Sequence, residues 1–208
     1  MLPILLDLRD RLTVVVGAGV VGMRKVRAVR AAGGRVRVVC RESAPADWAD
    51  PAVDWLTAEY ATPHLHGAGL VFACGPAELN RRVAADARAL GVLLCDADDP
   101  LAGDFSLPAI HRLGRLTLTV STGGAAPGLA VWLRDQLAEQ LDPKLADWLD
   151  GLAECRAVLA ECADAAARRR AMARLTDPAW LARLHAEPAQ RVRGEMLALA
   201  RSTVAGTA

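Results

Sequence analysis

The sequence predicts an α/β protein with a parallel sheet, followed by a small α+β region and a helical C-terminal module. The first third alternates short apolar strands with helix-forming segments, which is typical of a parallel sheet covered on both faces. A glycine-rich turn joins the first strand to the first helix. From residue 143 onward, Ala, Arg, Leu and Glu recur at helical spacing and no strand pattern is found.

The elements of the first region follow one another in a regular order. A run of β-branched residues predicts a strand over residues 11–16, and the helix after the glycine turn is expected over residues 23–32, where Gly33 and Gly34 end it. Three more strands and one helix are predicted by the same patterns, with the helix over residues 77–90 and the strands over residues 36–40, 70–73 and 92–95.

The pattern changes after Asp99 and Pro100. Residues 105–110 and 116–120 predict two strands joined by a polar link over residues 111–115. A helix over residues 127–140 begins suitably with Pro127, whose missing N–H would have no partner inside the helix. The tail is expected to hold helices over residues 144–159, 160–175 and 178–199, so that the chain divides into regions 1–104, 105–142 and 143–208.

Composition excludes several classes of protein. A chain of 208 residues that is 53% hydrophobic and 24% charged is not disordered and can bury a sizeable core. Its formal net charge of +1 offers no global attraction to nucleic acid or to an anionic membrane. No apolar run approaches the ~20 residues of a membrane-spanning helix, and no export signal is recognisable. We therefore expect a cytoplasmic protein with no nucleic-acid or membrane partner.

The cysteines and histidines do not form a recognisable metal site. Five cysteines are an odd number without a CxxC pair, which favours buried thiols in a reducing compartment over disulfides or a zinc site. The four histidines lack the spacing of metal ligands, and His64 and His66 alone are a weak signal. No bound metal is predicted.

The glycine turn is the strongest functional signal. In a strand–turn–helix context, Gly17 permits the tight turn, Gly19 lets the backbone approach a pyrophosphate, and Gly22 lets the helix pack closely on the strand. The pattern predicts a dinucleotide-binding Rossmann domain. After the second strand, Glu42 would accept a ribose hydroxyl of NAD, whereas Arg41 would meet the 2′-phosphate of NADP, so the residues leave the nicotinamide preference open.

An acidic cluster follows the predicted strand over residues 92–95. Ligands of open α/β sheets bind beyond the carboxyl ends of the strands, so an acid at this point can reach a substrate. Asp99 precedes Pro100 and is explained as a turn residue, and Asp96 is equally well a solvated loop acid. Asp98 has no such local explanation, which makes it the candidate catalytic residue.

A second glycine-rich loop precedes the helix over residues 127–140. Ser121, Thr122, Gly123 and Gly124 expose backbone amides before a helix N-terminus, a geometry suited to carboxylates or phosphates. A plain loop-to-helix transition explains the same residues equally well.

Several of these motifs together resemble the precorrin-2 dehydrogenases, which include the N-terminal part of siroheme synthase. The likeness runs through the opening Leu-Pro-Ile, the glycine turn with Arg24 and Lys25 behind it, and the Asp98-Asp99-Pro100 segment. It continues in order through Asp104-Phe105, Pro108-Ala109, the loop from Ser121 to Gly124 and Pro127. The resemblance covers residues 2–140, and the helical tail is similar only in character.

The resemblance implies an NAD-dependent oxidation of precorrin-2 to sirohydrochlorin in siroheme biosynthesis. Some members also insert ferrous iron, so chelation is left open. It further implies a homodimer joined by the middle segment, which makes residues 105–142 a dimerisation region. The functional aspartate falls on Asp98, and the cofactor contacts fall on Gly17, Gly19, Val20, Val21, Gly22, Arg41 and Glu42.

The implied substrate is a polycarboxylate, so its site is expected to offer amides and arginines. The serine-containing loop carries over to Ser121 and Thr122, and Arg112, Arg115 and Arg134 are candidates because they lie near that loop in the sequence.

The sequence departs from the family pattern at two places, and these departures leave alternatives to the dehydrogenase activity open. Members commonly carry Thr-Asp or Thr-Asn where this chain has Cys74-Gly75, and a hydroxyl residue where it has Ala126. Ala126 cannot cap the following helix with its side chain. Either the first amides of that helix are therefore freer to bind an anion, or that helix end is less stable by ~1 kcal/mol. The alternatives are a sirohydrochlorin chelatase without dehydrogenase activity and a non-catalytic NAD(P)-binding regulator.

Overall fold

The computed structural model describes residues 2–45, 48, 50–99 and 101–206. The chain divides into two compact units, Met1–Leu107 and Pro108–Ala208. The first unit is a five-stranded parallel sheet in the order β3-β2-β1-β4-β5. Its strands are β1 (Leu12–Val16), β2 (Arg35–Cys40), β3 (Val53–Thr57), β4 (Ala68–Ala73) and β5 (Leu93–Asp96). Helix α1 (Val20–Ala31), a 3-10 turn (Thr62–Leu65) and helix α2 (Ala77–Leu90) connect them.

Both faces of the sheet are buried, as the near-continuous apolar strands predicted. Val14 and Val16 point to the face that α2 covers with Val83 and Ala87. Val15 points to the opposite face, where it joins Val26 of α1 and Phe72 of β4 in a second cluster. Alternate residues of β1 thus enter two cores, because side chains along a strand alternate between faces. The predicted Rossmann-type α/β fold is confirmed.

The second unit combines a hairpin with five helices. Strands β6 (Ala109–Leu113) and β7 (Leu116–Val120) pair antiparallel, and α3 (Pro127–Glu139) packs against both. Four helices follow, namely α4 (Leu145–Leu159), α5 (Ala165–Leu175), α6 (Ala179–Ala186) and α7 (Ala189–Ala205). They enclose a separate core that contains Leu159, Leu175, Leu184 and Met196. Among the described helices, none is both long enough and apolar enough to cross a membrane.

The boundaries of the hairpin differ from the prediction. The first strand was expected over residues 105–110, but it begins at Ala109 and contains His111, which had been assigned to the link. Phe105 instead packs edge-to-face on Phe72 with ring centroids 5.4 Å apart. Leu113 pairs with Leu116, so only Gly114 and Arg115 form the hairpin loop. A two-residue loop containing Gly is a favoured connection between antiparallel strands.

The helical tail contains one more break than expected. The helix predicted over residues 178–199 is two helices, because Pro188 stands between them and cannot continue the first. The helix predicted over residues 160–175 begins only at Ala165, where the Asp164 carboxylate accepts a hydrogen bond from the Ala166 amide at 2.7 Å. By packing, the middle segment and the tail belong to one unit. The three-region division stays a prediction about function.

Candidate functional site

The glycine turn requires glycine at two of its positions. Gly17 has a φ of +99°, and a Cβ placed on it would lie 2.6 Å from the carbonyl oxygen of Cys74. A Cβ on Gly22 would lie 1.9 Å from the carbonyl oxygen of Gly17. The first contact holds the turn against the end of β4, and the second lets α1 start directly above β1. The turn therefore lies at the carboxyl edge of the sheet, beside β4.

The N-terminus of α1 is open to a ligand. Met23 donates its N–H to the Gly19 carbonyl at 2.9 Å, which leaves the amides of Val20, Val21 and Gly22 as the first-turn donors without an intrahelical acceptor. Within the described chain no side chain caps this end and no acidic residue lies in its first turn. Val20 is 81% exposed, and a Cβ on Gly19 would meet no described atom within 4 Å. These features fit a dinucleotide pyrophosphate.

The two candidate ribose residues follow β2 on the surface. Arg41 donates from Nη2 to Oε1 of Glu59 at 2.8 Å, and both side chains are exposed. The Glu42 carbonyl accepts a hydrogen bond from Nε1 of Trp55 at 3.0 Å, which anchors its backbone beside β3. The Arg41–Glu59 interaction is a surface ion pair, which contributes little to stability. The choice between NAD and NADP stays open at these residues.

Asp96 shapes the acidic loop after β5. It is buried, and its Oδ1 accepts hydrogen bonds from the amides of Asp98 at 2.9 Å and Asp99 at 3.1 Å. Its sequence-based interpretation as a solvated acid is therefore wrong, because two backbone donors of the loop close around it. Asp99 accepts from the amide of Leu101 at 3.0 Å, which confirms it as a turn residue, while Pro100 lies outside the described residues.

Asp98 projects from the same loop with an exposed side chain. Its Oδ2 accepts a hydrogen bond from Nδ2 of Asn80 at 3.1 Å. Asn80 is 1% exposed, and its Oδ1 accepts from the amide of Gly75 at 2.9 Å. One buried amide thus connects the end of β4 to the loop after β5. Asn80 holds one carboxylate oxygen of Asp98, and the Asp98 side chain is open to solvent. Asp98 can therefore act on a ligand at this edge of the sheet.

Asn80 is not among the residues predicted from the sequence, although a signal for it is present. The buried residues of α2 are Asn80, Val83, Ala84 and Ala87, which follow the i, i+3, i+4, i+7 spacing of an apolar stripe. Asn80 is the polar member of that stripe. A polar residue on a buried helix face needs hydrogen-bond partners, and the two neighbouring loops supply them.

We expect Asn80→Ala to destabilise the protein by about 1–3 kcal/mol, since it leaves the Gly75 amide without its acceptor and removes the side-chain donor shared by Asp98 and Asp96. Chemical denaturation measures the change, and the exposed neighbour Arg81→Ala is the control. Equal unfolding midpoints for the two variants would contradict this role of Asn80.

Cys74 and Gly75 mark the departure from the family pattern at the end of β4. Burial raises the pKa of the Cys74 thiol to about 11, so it is protonated at neutral pH. A Cβ on Gly75 would lie 2.8 Å from Cδ2 of Leu79. The polar contact at this point is made by the Gly75 backbone, whose amide engages Asn80.

The loop before α3 is organised by its own hydroxyl groups. Ser121 Oγ accepts from the Gly123 amide at 3.2 Å, and Thr122 Oγ1 accepts from the Ala126 amide at 3.0 Å. Thr122 thus satisfies the amide of Ala126, a residue that has no capping side chain of its own. Gly123 and Gly124 are exposed, and the amides of Gly128 and Leu129 precede the first intrahelical bond, which Ala130 donates to Ala126.

The candidate arginines lie in the second unit with that loop. Arg112 is exposed on β6. Arg115 donates from Nε to Oδ1 of Asp150 at 2.9 Å, and Arg134 pairs with Asp135 and donates from Nη1 to the Ile110 carbonyl at 3.4 Å. Arg115 would have to leave its partner to bind a substrate. Across residues 2–45, 48, 50–99 and 101–206, no group of three or more His, Cys, Asp or Glu side chains could hold a metal ion.

Two family models match the chain. The one described as "Putative NAD(P)-binding" covers residues 4–109, and "Sirohaem biosynthesis protein central" covers residues 114–140. The first match includes the glycine turn and the Asp98 loop, and the second includes the hairpin loop, β7 and all of α3.

Similar proteins include siroheme synthases. The protein from Chromobacterium violaceum is 42% identical over 145 residues, covering 68% of this chain and 31% of that protein. The one from Gluconacetobacter diazotrophicus is 38% identical over 183 residues, covering 81% of this chain and 38% of that protein. The chain thus spans about a third of the length of these relatives. The solved structure of SirC, precorrin-2 dehydrogenase, shares the fold with a TM-score of 0.74 at 19% identity, covering 100% of this chain and 98% of that one.

Proposed function

Because the chain belongs to the siroheme synthase and precorrin-2 dehydrogenase family, as its motifs predicted, we propose that it oxidises precorrin-2 to sirohydrochlorin with NAD. The observation that carries the proposal is the position of Asp98. Asn80 ties its loop to the end of β4, and the Gly17 turn packs against the same end at Cys74. A nucleotide-binding turn and an available carboxylate therefore share the carboxyl edge of one sheet.

The chain's own residues would bind the cofactor and move a proton. The amides of Val20, Val21 and Gly22 would hold the pyrophosphate, with Gly19 allowing close approach. Bound NAD supplies the two-electron acceptor. Asp98 would accept the proton that the tetrapyrrole loses, with Asn80 orienting its carboxylate. Arg41 and Glu42 would lie nearest the adenosine ribose, since they follow β2 next to the turn.

The second unit would bind carboxylates of the substrate. The amides of Gly128 and Leu129 at the start of α3 and the exposed Arg112 support this role, because anionic side groups favour N–H donors at a helix N-terminus and guanidinium forks. Ser121 and Thr122 would hold the loop in shape through their hydrogen bonds. Arg115 would contribute after exchanging Asp150 for the substrate.

The direct test combines the purified protein with precorrin-2 and NAD under anaerobic conditions, with and without ferrous iron. Formation of sirohydrochlorin that requires NAD supports the proposal, and replacing NAD by NADP measures the cofactor preference. Iron insertion without oxidation would favour a chelatase that lacks dehydrogenase activity. NAD binding with neither reaction would favour a regulatory protein. Ferrous iron enters this assay as a substrate.

We also propose that the chain forms a homodimer through α3 and the β6–β7 hairpin. The helix exposes four large apolar side chains, and Trp132 alone is 57% exposed. The others are Leu129, Val131 and Leu137. Exposed apolar side chains of this size favour a symmetric partner that covers them. The cytoplasmic location expected from the sequence stays a prediction.

We expect the protein to be a dimer at micromolar concentration and Trp132→Arg to shift it to the monomer, because a charge placed in an apolar interface loses its hydration. Light scattering measures the mass. Leu90→Arg, at an exposed apolar position in the first unit, should leave the dimer intact. A monomeric wild-type protein with full activity would refute the interface.

A further inference from the structure

Lys25 is an unusual cation in this chain. Arginine supplies 23 of the 25 basic residues, and Lys25 and Lys144 are the two lysines. Lys144 directly precedes α4 in the second unit. Its Nζ forms an ion pair with Oδ2 of Asp147 at 3.4 Å. Lys25 instead lies half-buried on α1, one turn beyond the glycine motif. A half-buried ammonium needs a reason, because burial costs it hydration.

The ammonium of Lys25 lies against an aromatic ring. Its Nζ is 5.5 Å from the centroid of Phe72, and Phe72 contacts Phe105 edge-to-face on the same face of the sheet. Among the described carboxylates, none lies within 4.0 Å of this nitrogen. A cation–π contact satisfies part of the charge and leaves the N–H donors available.

The electrostatic surroundings connect Lys25 with the acidic loop. Burial is the main influence that raises the pKa of Cys74, Lys25 opposes it, and Asp96 and Asp98 add to it. The charges of the ammonium and of both carboxylates therefore act on the same thiol, just after β4. Lys25 lies against Phe72 of β4, and Asn80 ties the Asp98 loop to Gly75, two residues after that strand.

The placement of Lys25 favours the reacting end of the site over the pyrophosphate. The pyrophosphate donors and Lys25 are both on α1, and side chains on a helix point back toward its N-terminus, so the sideways position of Lys25 decides which ligand group it meets. Its ring partner Phe72 is on β4, the neighbour of β1 on the side away from β2 and the ribose residues. The Asp98 loop follows β5, on that same side.

We propose that Lys25 is a specificity-determining residue that binds a carboxylate of the tetrapyrrole substrate beside Asp98. The proposal rests on the function proposed above. The ammonium would form an ion pair with one anionic side group and orient the macrocycle toward the carboxylate that takes its proton. Phe72 and Phe105 would present an apolar surface to the ring system around that contact.

The test measures binding of sirohydrochlorin, the proposed product, by fluorescence titration in the absence of NAD. Lys25→Met keeps the apolar stem against Phe72 and removes the charge. We expect its Kd for sirohydrochlorin to rise about 10- to 100-fold, the usual scale for losing a hydrogen bond between charged groups. NAD affinity and the melting temperature should change little. Lys25→Arg should recover part of the binding, and Lys144→Met is the matched control.

The outcomes separate this inference from the proposed function. An unchanged Kd in a folded Lys25→Met variant of an active enzyme overturns the role of Lys25 alone. Binding of sirohydrochlorin that depends on Lys25, in a protein that fails to oxidise precorrin-2, supports Lys25 and overturns the dehydrogenase. A wild-type protein that does not bind sirohydrochlorin overturns both. A large fall in melting temperature with unchanged binding would assign Lys25 to packing.

Discussion

Asp98→Asn should reduce turnover of precorrin-2 by about two to four orders of magnitude, the usual effect of removing a general base. The amide keeps the size of the side chain and loses its charge and basicity. Asn80 can still engage the new carbonyl oxygen through Nδ2, so the loop should keep its shape. Single-turnover rates at saturating NAD measure the effect.

The control for Asp98 is its neighbour. Among the described contacts, the Asp99 carboxylate accepts a hydrogen bond only from the nearby Leu101 amide. Asp99→Asn should therefore have a much smaller effect on turnover. NAD affinity should be unchanged in both variants, because the pyrophosphate donors lie on α1. Near-normal oxidation by a folded Asp98→Asn variant would remove Asp98 from the mechanism. Asp96 would not replace it, since its carboxylate is buried and holds two loop amides.

Gly19→Asp should abolish measurable NAD binding while leaving the fold intact. A Cβ at Gly19 meets no described atom within 4 Å, so the side chain has room in the free protein. The negative charge of the new carboxylate would lie where the pyrophosphate is expected to bind. The carboxylate would itself interact with the N-terminus of α1 and so compete with the cofactor. We expect a loss of at least about 100-fold in affinity, which is about 2.7 kcal/mol. Calorimetry measures it.

Gly19→Ala separates charge from space at the same position. The methyl group also fits the free protein, so any loss of NAD affinity reports how closely the backbone must approach the cofactor. Circular dichroism should show all three proteins folded. Retention of wild-type NAD affinity by Gly19→Asp would place the pyrophosphate elsewhere and would remove the main support for a dinucleotide site at this turn.

Local patterns were sufficient for most of the first unit. The helix expected over residues 77–90 has those bounds, and the strands predicted there were within two residues of the observed ends. The strand β3 was missed because Val53–Thr57 mixes Asp54 and Thr57 with three apolar residues in a segment rich in acids and alanine. Its pairing with β2 creates the strand, from Val36 with Val53 to Cys40 with Thr57. A strand that depends on pairing with a distant segment shows only a weak strand preference in its own five residues.

The chemistry of the site divides in a similar way. The glycine spacing predicted the nucleotide turn. The requirement at Gly22 is local, since its Cβ would meet the Gly17 carbonyl, whereas the requirement at Gly17 combines its positive φ with the distant Cys74 carbonyl at the end of β4. Asp98 was singled out by its place after a strand. The partners of these residues were not visible, because Asn80 meets Asp98 across 18 positions and Gly75 across five only when α2 packs on the sheet.

The sequence alone therefore established the fold class, the turn and the candidate carboxylate, because these depend on local propensity, periodicity and strand-end position. The folded chain was needed to distinguish a buried, loop-shaping Asp96 from an exposed Asp98, and to place Lys25 against Phe72. Burial and hydrogen-bond partnership are properties of packed surfaces. Residues of the same type two positions apart acquire opposite roles when one faces the core and the other faces solvent.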